Sequence, residues 1–315
     1  MNAAATDKPV IVVTAADLAP QALALLQDFE LVFAGKTPTE EGVATLCREH
    51  NPVAIIVRYG KVGAAAMDAA PALRVISKHG SGTDTIDKAA AAQRGIQVVA
   101  AVGVNAAAVA EQALALLLAC AKSIVGLDTR MRAGHWDKST HKSLELGGKT
   151  IGLIGLGAIG QRMAAMVHGM NMRVIGFDPY AKNLPDYIES VPLDAIWRES
   201  DVVSLHCPLT EDNHGMVNAS TLAQCRPGVI LVNTARGGLV DEEALLQAVR
   251  SGHVQAAGLD SFAVEPMTAD HPFQQEPRIV LSPHIGGVTS AAYVNMGVAA
   301  ARNVLEVLAR DKAQA

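Results

Sequence analysis

Three stretches of this chain end an apolar run on a residue that can do chemistry. They are Val232-Asn-Thr-Ala-Arg-Gly-Gly238, Gly258-Leu-Asp-Ser-Phe-Ala-Val-Glu-Pro266 and Leu281-Ser-Pro-His-Ile-Gly-Gly287. In each, the apolar part reads as a buried strand and the reactive side chain lies at or beyond its end: Arg236, Asp260 with Glu265, and His284. An arginine there puts a planar fork at a strand's C-terminal edge, where ligands sit in open α/β sheets, and the fork matches a carboxylate at two points. The alternative is a surface arginine paired with Asp241 or Glu242. A histidine changes charge near neutrality and can carry a proton to or from a substrate. Pro283 holds Ser282 extended, and the glycines after His284 are expected to permit the departing turn.

A fourth stretch supplies a reason for proton transfer. Gly152-Leu-Ile-Gly-Leu-Gly-Ala-Ile-Gly160 contains Gly155-x-Gly157-x-x-Gly160 after a strand and at the start of a helix, with Ala158 and Ile159 in the first turn. The first glycine allows a tight turn, the second lets a pyrophosphate approach the backbone, and the third lets helix pack on strand. The helix N-terminus then offers unpaired N–H groups to the phosphates. Asp178 ends the next strand, 23 residues after Gly155, where an acid grips ribose hydroxyls and repels the extra phosphate of NADP. NAD is therefore the expected cofactor, with Lys182 close by in sequence. The alternative is a glycine-rich turn in an unrelated α/β protein, with Asp178 a plain strand-end acid. Nicotinamide chemistry moves a hydride, so a carbonyl substrate also needs a proton donor and an anchor for its charged end.

The elements that must position these residues follow an alternating pattern. Strands are predicted at 9–14, 31–34, 53–58, 74–78 and 96–101, then at 150–155, 173–178, 201–206, 228–235, 255–262 and 278–282. Helical runs lie between them, among them Ala19–Phe29 and Glu40–His50. Asn105–Ile124 reads as one long helix that joins two series, and a last helix covers roughly Ser290–Arg310. Apolar strands alternating with helices imply parallel sheets covered on both faces, and 315 residues suit two such domains. Arg130–Lys149 is polar, holds Trp136 and suits an exposed arm.

Composition narrows the class. Half of the residues are hydrophobic and the net charge is −5, with no basic block, so nucleic-acid binding has no electrostatic footprint. Cys47, Cys120, Cys207 and Cys225 lack disulfide-framework or metal-ligand spacing, which fits a reducing cytoplasm; no metal site is expected. The opening MNAAATDKPV lacks the apolar core of a signal peptide. The run Ala113–Ala121 is too short for a bilayer and reads as a buried helix, so no membrane partner is expected.

The motifs GLIGLGAIG, FDPY (177–180), HCPLT (206–210), VNTARGGLVDEEAL (232–245), GLDSFAVEP (258–266) and LSPHIGG (281–287), in this order, resemble the D-2-hydroxyacid dehydrogenases, in particular their 3-phosphoglycerate dehydrogenase and hydroxypyruvate reductase branch. The resemblance spans nearly the whole chain. It implies two Rossmann- or flavodoxin-like domains, with a cofactor domain of about 105–288 inserted into a substrate domain of about 1–104 plus 289–315, and a cleft between them that closes on substrate. It implies Arg236, Glu265 and His284 as the catalytic set, with Glu265 orienting the histidine and raising its pKa. By the same resemblance Asp178 would hold the adenosine ribose and Asp260 the nicotinamide amide, while Cys207 and the Thr234-Ala235-Arg236 backbone line the cofactor cleft. The loop Lys78-His79-Gly80-Ser81-Gly82 would contact substrate carboxylate and nicotinamide through backbone N–H groups and Ser81. Arg58 stands near where phosphoglycerate-type members place a phosphate-contacting arginine; Lys61 and Lys78 would add positive charge, whereas Tyr59 would narrow the site.

The implied reaction is reversible hydride transfer between NAD(H) and a small 2-oxo or 2-hydroxy acid, hydroxypyruvate and phosphohydroxypyruvate being equally favoured. A phosphite-type dehydrogenase and an NAD(H)-sensing, corepressor-like protein are the other readings of the same scaffold. A homodimer built through the arm around Trp136 is expected from relatives. The chain ends at Ala315, so the regulatory domain of the long phosphoglycerate dehydrogenases is expected to be absent. His206 reads as a packing residue and Cys207 as a small apolar one, not a redox thiol.

Overall fold

The computed structural model describes residues 8–314, so most of the leading MNAAATDKPV segment lies outside the described residues. The chain divides into two compact units, Met1–Asn105 with Gly287–Ala315, and Ala106–Gly286; the family resemblance implied an inserted domain of about 105–288.

The first unit contains β1 (Val10–Val13), α1 (Pro20–Leu25), β2 (Glu30–Phe33), α2 (Glu40–His50), β3 (Ala54–Val57), α3 (Ala64–Asp68), β4 (Val75–Lys78), α4 (Lys88–Gln93) and β5 (Gln97–Ala100). The strands form one parallel sheet in the order β2-β1-β3-β4-β5. This is the flavodoxin-like order, whose chain reverses direction across the sheet between β1 and β3. Alternation along the strands sends Ile11, Val13, Ala54, Ile56 and Val75 to one face and Val12, Ile55, Val57 and Ile76 to the other. The second of these faces is covered by Val43, Ala44 and Cys47 of α2 with Ala66 and Met67 of α3. The first is covered by α1 and by the final helix of the chain, which brings Ala300, Ala301, Val304 and Val307 to it.

The second unit contains α5 (Ala106–Lys122), α6 (Ile124–Arg132), β6 (Thr150–Ile154), α7 (Ala158–Gly169), β7 (Arg173–Phe177), β8 (Ile188–Ser190), α8 (Leu193–Glu199) and β9 (Val202–Leu205). It continues with α9 (Ala219–Gln224), β10 (Val229–Asn233), α10 (Glu242–Arg250), β11 (Val254–Leu259) and β12 (Ile279–Leu281); the chain then closes with α11 (Ser290–Gln314) in the first unit. Its seven parallel strands run β12-β11-β10-β9-β6-β7-β8. The switch point lies between β6 and β9, and helices α5 and α7 cover one face while α8, α9 and α10 cover the other.

Three local expectations need correction. The long helix ends at Lys122, because Ser123 takes a left-handed conformation (φ 51°) and a second helix, α6, leaves at 59° to the first. The arm is therefore partly helical; its stretch after Arg132 is irregular, and Trp136 is 74% exposed. Strand β8 escaped the sequence because its three residues include Glu189 and Ser190, both exposed at the sheet edge. Strands predicted at 228–235 and 255–262 end earlier, at Asn233 and Leu259, and the residues past those ends are the chemically interesting ones. Among the described residues no single helix is long and apolar enough to cross a membrane.

Candidate active site

The glycine loop follows directly from β6. Gly155 has φ 94°, and a Cβ on it would meet Cys207 N and the His206 carbonyl carbon at 2.6 Å, so only glycine lets β6 and β9 end this close together. A Cβ on Gly160 would meet Gly155 O at 2.1 Å, which is the close contact of helix α7 on the loop. On Gly157, at the N-cap of α7, a Cβ would meet nothing within 4 Å. Backbone N–H groups at the start of a twelve-residue helix thus open onto uncovered space, as pyrophosphate binding requires. Asp178 stands beside this loop. One carboxylate oxygen accepts from Leu156 N at 2.8 Å, and the other from Tyr180 N and Ala181 N at 2.8 and 3.2 Å. The residue therefore braces the loop as well as presenting an acid there, a role the sequence did not reveal.

Across the switch point, Cys207 has its thiol pushed up to about 11 by burial, with a backbone contact opposing and the Asp178 charge adding. At that value it is a packing thiol. His206 is held near pKa 4 by burial and shares a hydrogen bond of 3.0 Å with Ser204 through Nε2, as a packing role requires. Thr234, just past β10, carries a buried hydroxyl with no hydrogen-bond partner inside the described residues. A buried unmet hydroxyl is costly unless a bound group meets it. The open loop, the acid beside it and this orphaned hydroxyl together fit a dinucleotide.

The Arg236 loop is set by a residue whose type in the sequence gives no sign of that role. Asn233, fully buried at the end of β10, donates to Arg236 O at 2.8 Å and accepts from Ala235 N at 3.0 Å. Gly237 presses against the next loop so closely that a Cβ would lie 1.9 Å from the Phe262 carbonyl carbon. This contact brings the segments carrying Arg236 and Glu265 side by side. The Arg236 guanidinium donates from Nη1 to Ala235 O at 2.7 Å.

Glu265 and His284 meet, although 19 positions separate them: Glu265 Oε2 lies 2.6 Å from His284 Nδ1, and Phe262 N donates to Glu265 Oε1 at 2.9 Å. A carboxylate on Nδ1 selects the tautomer with its proton there and leaves Nε2 for a substrate. The hydrogen bond to Glu265 raises the His284 pKa; burial opposes it, the Glu265 and Asp260 charges add to it and the Arg236 charge subtracts. For Glu265, burial pulls upward, but the His284 and Phe262 hydrogen bonds with the His284 and Arg236 charges hold it below the usual carboxylate range. Arg236 is thus within electrostatic reach of both partners. His284 keeps 46% of its side chain exposed, so the ring is held and still accessible.

Asp260 explains the shape of the His284 turn. It is only 1% exposed, and its two oxygens accept from Ile285 N at 3.0 Å and Gly286 N at 2.7 Å. The expectation that the glycines take the turn is corrected: the left-handed residue is His284 itself, at φ 54°. A non-glycine residue pays a conformational penalty there of about 1 kcal/mol, which the two bonds to Asp260 offset. Gly286 is needed for closeness, since its Cβ would sit 2.9 Å from Asp260 Oδ2. Gln112 of α5 fixes the other flank by donating to Ser282 Oγ at 2.8 Å. Asp260 thus positions the histidine loop, a function beyond the amide contact that the resemblance implied.

Residues 114–286, more than half of the chain, match the family model described as the NAD binding domain of D-isomer specific 2-hydroxyacid dehydrogenase. The chain belongs to this family. It is 43% identical over 262 residues to a D-3-phosphoglycerate dehydrogenase of Mycobacterium leprae, covering 82% of this chain and 49% of that protein. It is 41% identical over 250 residues to a hydroxypyruvate reductase of Thermotoga maritima, covering 79% of this chain and 82% of that protein. The TT0316 protein of Thermus thermophilus superposes with a TM-score of 0.88 at 36% identity, covering 95% of this chain and 97% of that one. The chain spans about half the length of the curated phosphoglycerate dehydrogenases it matches. Within this dehydrogenase family member, Arg236, Glu265, His284, Asp260 and the glycine loop all belong to the Ala106–Gly286 unit.

The remaining candidates belong to the first unit. Ser81 is exposed and donates to Asn105 Oδ1 at 3.3 Å. Gly80 has φ 140° and precedes it. Lys78 Nζ donates to Arg58 O at 3.2 Å. Arg58 pairs with Asp17 at 2.7 Å, and its guanidinium carbon lies 4.9 Å from the Tyr59 ring centre and 4.6 Å from that of Tyr293. His79 is buried. Its ring packs on Tyr293 at 5.8 Å, its Nε2 is buried without a partner near Gly297, and burial with the Arg58 charge holds it near pKa 4. A neutral, covered ring is a packing element of this edge, which leaves the expected loop contacts to backbone N–H groups and Ser81. Among the described residues no group of His, Cys, Asp and Glu side chains is arranged to hold a metal.

Proposed function

We propose that this chain is an NAD-dependent D-2-hydroxyacid dehydrogenase, interconverting a small 2-oxo acid and its 2-hydroxy acid. The observation that carries the reading is the Glu265–His284 pair at 2.6 Å, within electrostatic reach of Arg236, at strand ends of the sheet that bears the glycine loop. In this reading Ala106–Gly286 is the cofactor unit and Met1–Asn105 with Gly287–Ala315 the substrate unit. The backbone of Gly155, Gly157, Ala158, Ile159 and Gly160 takes the pyrophosphate, Asp178 the adenosine ribose, and Cys207, Thr234 and Ala235 the body of the dinucleotide; Ser81 and Asp260 serve its nicotinamide end. Bound NADH supplies the hydride.

The chain's own residues do the rest. Arg236 clamps the carboxylate in two-point fashion and polarises the carbonyl. His284, protonated because Glu265 stabilises its charge, gives the Nε2 proton to the carbonyl oxygen as the carbon is reduced. The balance is one 2-oxo acid, one hydride and one proton to one 2-hydroxy acid. In oxidation neutral His284 takes the hydroxyl proton back. Asp260 and Gln112 hold the histidine loop so that this nitrogen stays aimed. Lys78 and the Gly80–Ser81 backbone complete the hold on the acid.

The test is absorbance at the NADH band with hydroxypyruvate, phosphohydroxypyruvate, glyoxylate, pyruvate and branched 2-oxo acids. Turnover of at least one is the expected result. Tight NADH binding with no turnover points to a sensor instead, and phosphite-dependent reduction of NAD to a phosphite dehydrogenase. We further read the protein as a cytoplasmic homodimer. The four free cysteines support the compartment. The exposed Ile124 and Val125 of α6, with Met131 and Trp136 of the arm, support the dimer, which sedimentation would check.

A further inference from the structure

The switch point of the first unit's sheet carries an unassigned feature. Ligands in open α/β sheets bind beyond the C-terminal strand ends where strand order reverses, here between β1 and β3. Thr14, just past β1, ties the two ends together: its hydroxyl accepts from Arg58 N at 3.0 Å and donates to Tyr59 O at 2.6 Å. Above this tie stands Asp17, in the β1–α1 connection, with its side chain 66% exposed. One oxygen, Oδ1, accepts from Arg58 Nη1 at 2.7 Å and from the Tyr293 hydroxyl of α11 at 2.8 Å. The Arg58 guanidinium carbon lies over both the Tyr59 and the Tyr293 rings. Arg58 is therefore held by a carboxylate and two aromatic rings of this chain. Lys78 is a second cation at the same edge, hydrogen-bonded to Arg58 O, and His79 is neutral. Asp17 offsets the Arg58 charge.

We propose that Asp17, held by Tyr293 and paired with Arg58, is a specificity-determining residue that selects 2-oxo acids whose far end is uncharged over those ending in a phosphate. This rests on the dehydrogenase reading above. A phosphate drawn to Arg58 must approach the carboxylate bound to the same nitrogen, and like charges disfavour the wrong ligand. A hydroxymethyl or smaller end has no charge to repel and can accept or donate at this polar edge. The aspartate thus neutralises an arginine otherwise suited to a dianion.

The experiment compares kcat/KM for hydroxypyruvate and phosphohydroxypyruvate in the full chain, its Asp17→Asn variant and its Tyr293→Phe variant. The wild type should favour hydroxypyruvate. Asp17→Asn is isosteric and exposed, and circular dichroism confirms its folding. It should raise the phosphorylated-to-unphosphorylated ratio about tenfold, equivalent to about 1.4 kcal/mol. The shift should shrink as salt is raised, because an exposed charge is screened; a merely structural change would not respond. Tyr293→Phe should move the ratio the same way by less. A wild type that prefers the phosphorylated acid, or a ratio that moves less than threefold in Asp17→Asn, overturns the proposal. Turnover of no 2-oxo acid by the wild type would instead remove the dehydrogenase reading beneath it.

Discussion

The two sheets reverse strand order in the same way but line the reversal differently. Between β6 and β9 the lining is backbone: Gly155 and Gly160 leave no room for a Cβ, and only Gly157 opens outward. Between β1 and β3 the lining is side chains: Thr14, Asp17, Arg58 and Tyr59. A backbone-lined gap has a shape fixed by chain geometry, suited to a ligand that never varies. A side-chain-lined gap can be retuned one residue at a time, suited to the part of a substrate that distinguishes one acid from another. In the function proposed above, the contrast separates general chemistry, assigned to Ala106–Gly286, from choice of substrate, assigned to the other unit.

Substitutions can break or sharpen that contrast. The largest effect belongs to His284→Ala, which should lower kcat at least 10³-fold, on the order of 4 kcal/mol, while NADH affinity, read by fluorescence quenching, stays within a few-fold. Near-normal turnover would remove the proton carrier from the scheme. Next is Gly155→Ala, where a Cβ would meet backbone at 2.6 Å in a left-handed conformation. A loss of about 3 kcal/mol of stability in urea unfolding is expected, together with loss of NADH binding; an unchanged transition midpoint would show that the gap is not backbone-fixed.

Arg236→Lys keeps the charge but loses the fork. The KM for the 2-oxo acid should rise about 30-fold, near 2 kcal/mol, and parallel steady-state curves for the two proteins would count against the clamp. Glu265→Gln should cost about tenfold in rate and carries a sign. The Glu265 bond raises the His284 pKa, and reduction needs the protonated ring. Reductive kcat/KM should therefore hold at low pH and fall as pH rises through the His284 value. With Gln the fall should start at lower pH; a profile that stays put, or shifts upward, would refute the pairing. The same sign governs stability: the pair's contribution is complete below the histidine's unfolded pKa and fades as pH climbs through the raised one. The Asp17→Asn shift closes the series at about tenfold in a ratio, and a comparable shift from Cys207→Ser would blur the division of labour.

Much of this was legible. The parallel sheets showed in continuous apolar strands, and Glu40–His50 began and ended as predicted because Thr39 caps its start and Asn51 its end. The order of Arg236, Glu265 and His284, each just past an apolar run, pointed to strand-edge chemistry. Other features were hidden. Strand β8 is short and edge-exposed, so it left no apolar run. The break at Ser123 came where Leu, Ala and Ile continue the helical pattern on both sides. The bracing role of Asp178, the hold of Asn233 on the Arg236 loop and that of Asp260 on Ile285 and Gly286 all depend on backbone N–H and C=O groups. Backbone groups are the same at every position, so no residue type announces them. A buried polar residue closing an apolar strand, as in VILVN and GLD, was the available hint.

The sequence by itself determined the strand and helix periodicity, the glycine spacing and the inventory of an arginine, a glutamate and a histidine. These are local facts, written in steric limits and side-chain chemistry. Only the tertiary structure decided that Glu265 and His284 touch, that His284 carries the left-handed turn, and that Asp17 reaches Arg58 and Tyr293. Contacts across 19, 41 and 276 positions are made when strands pair and helices pack, which brings together residues whose order along the chain does not specify their distance.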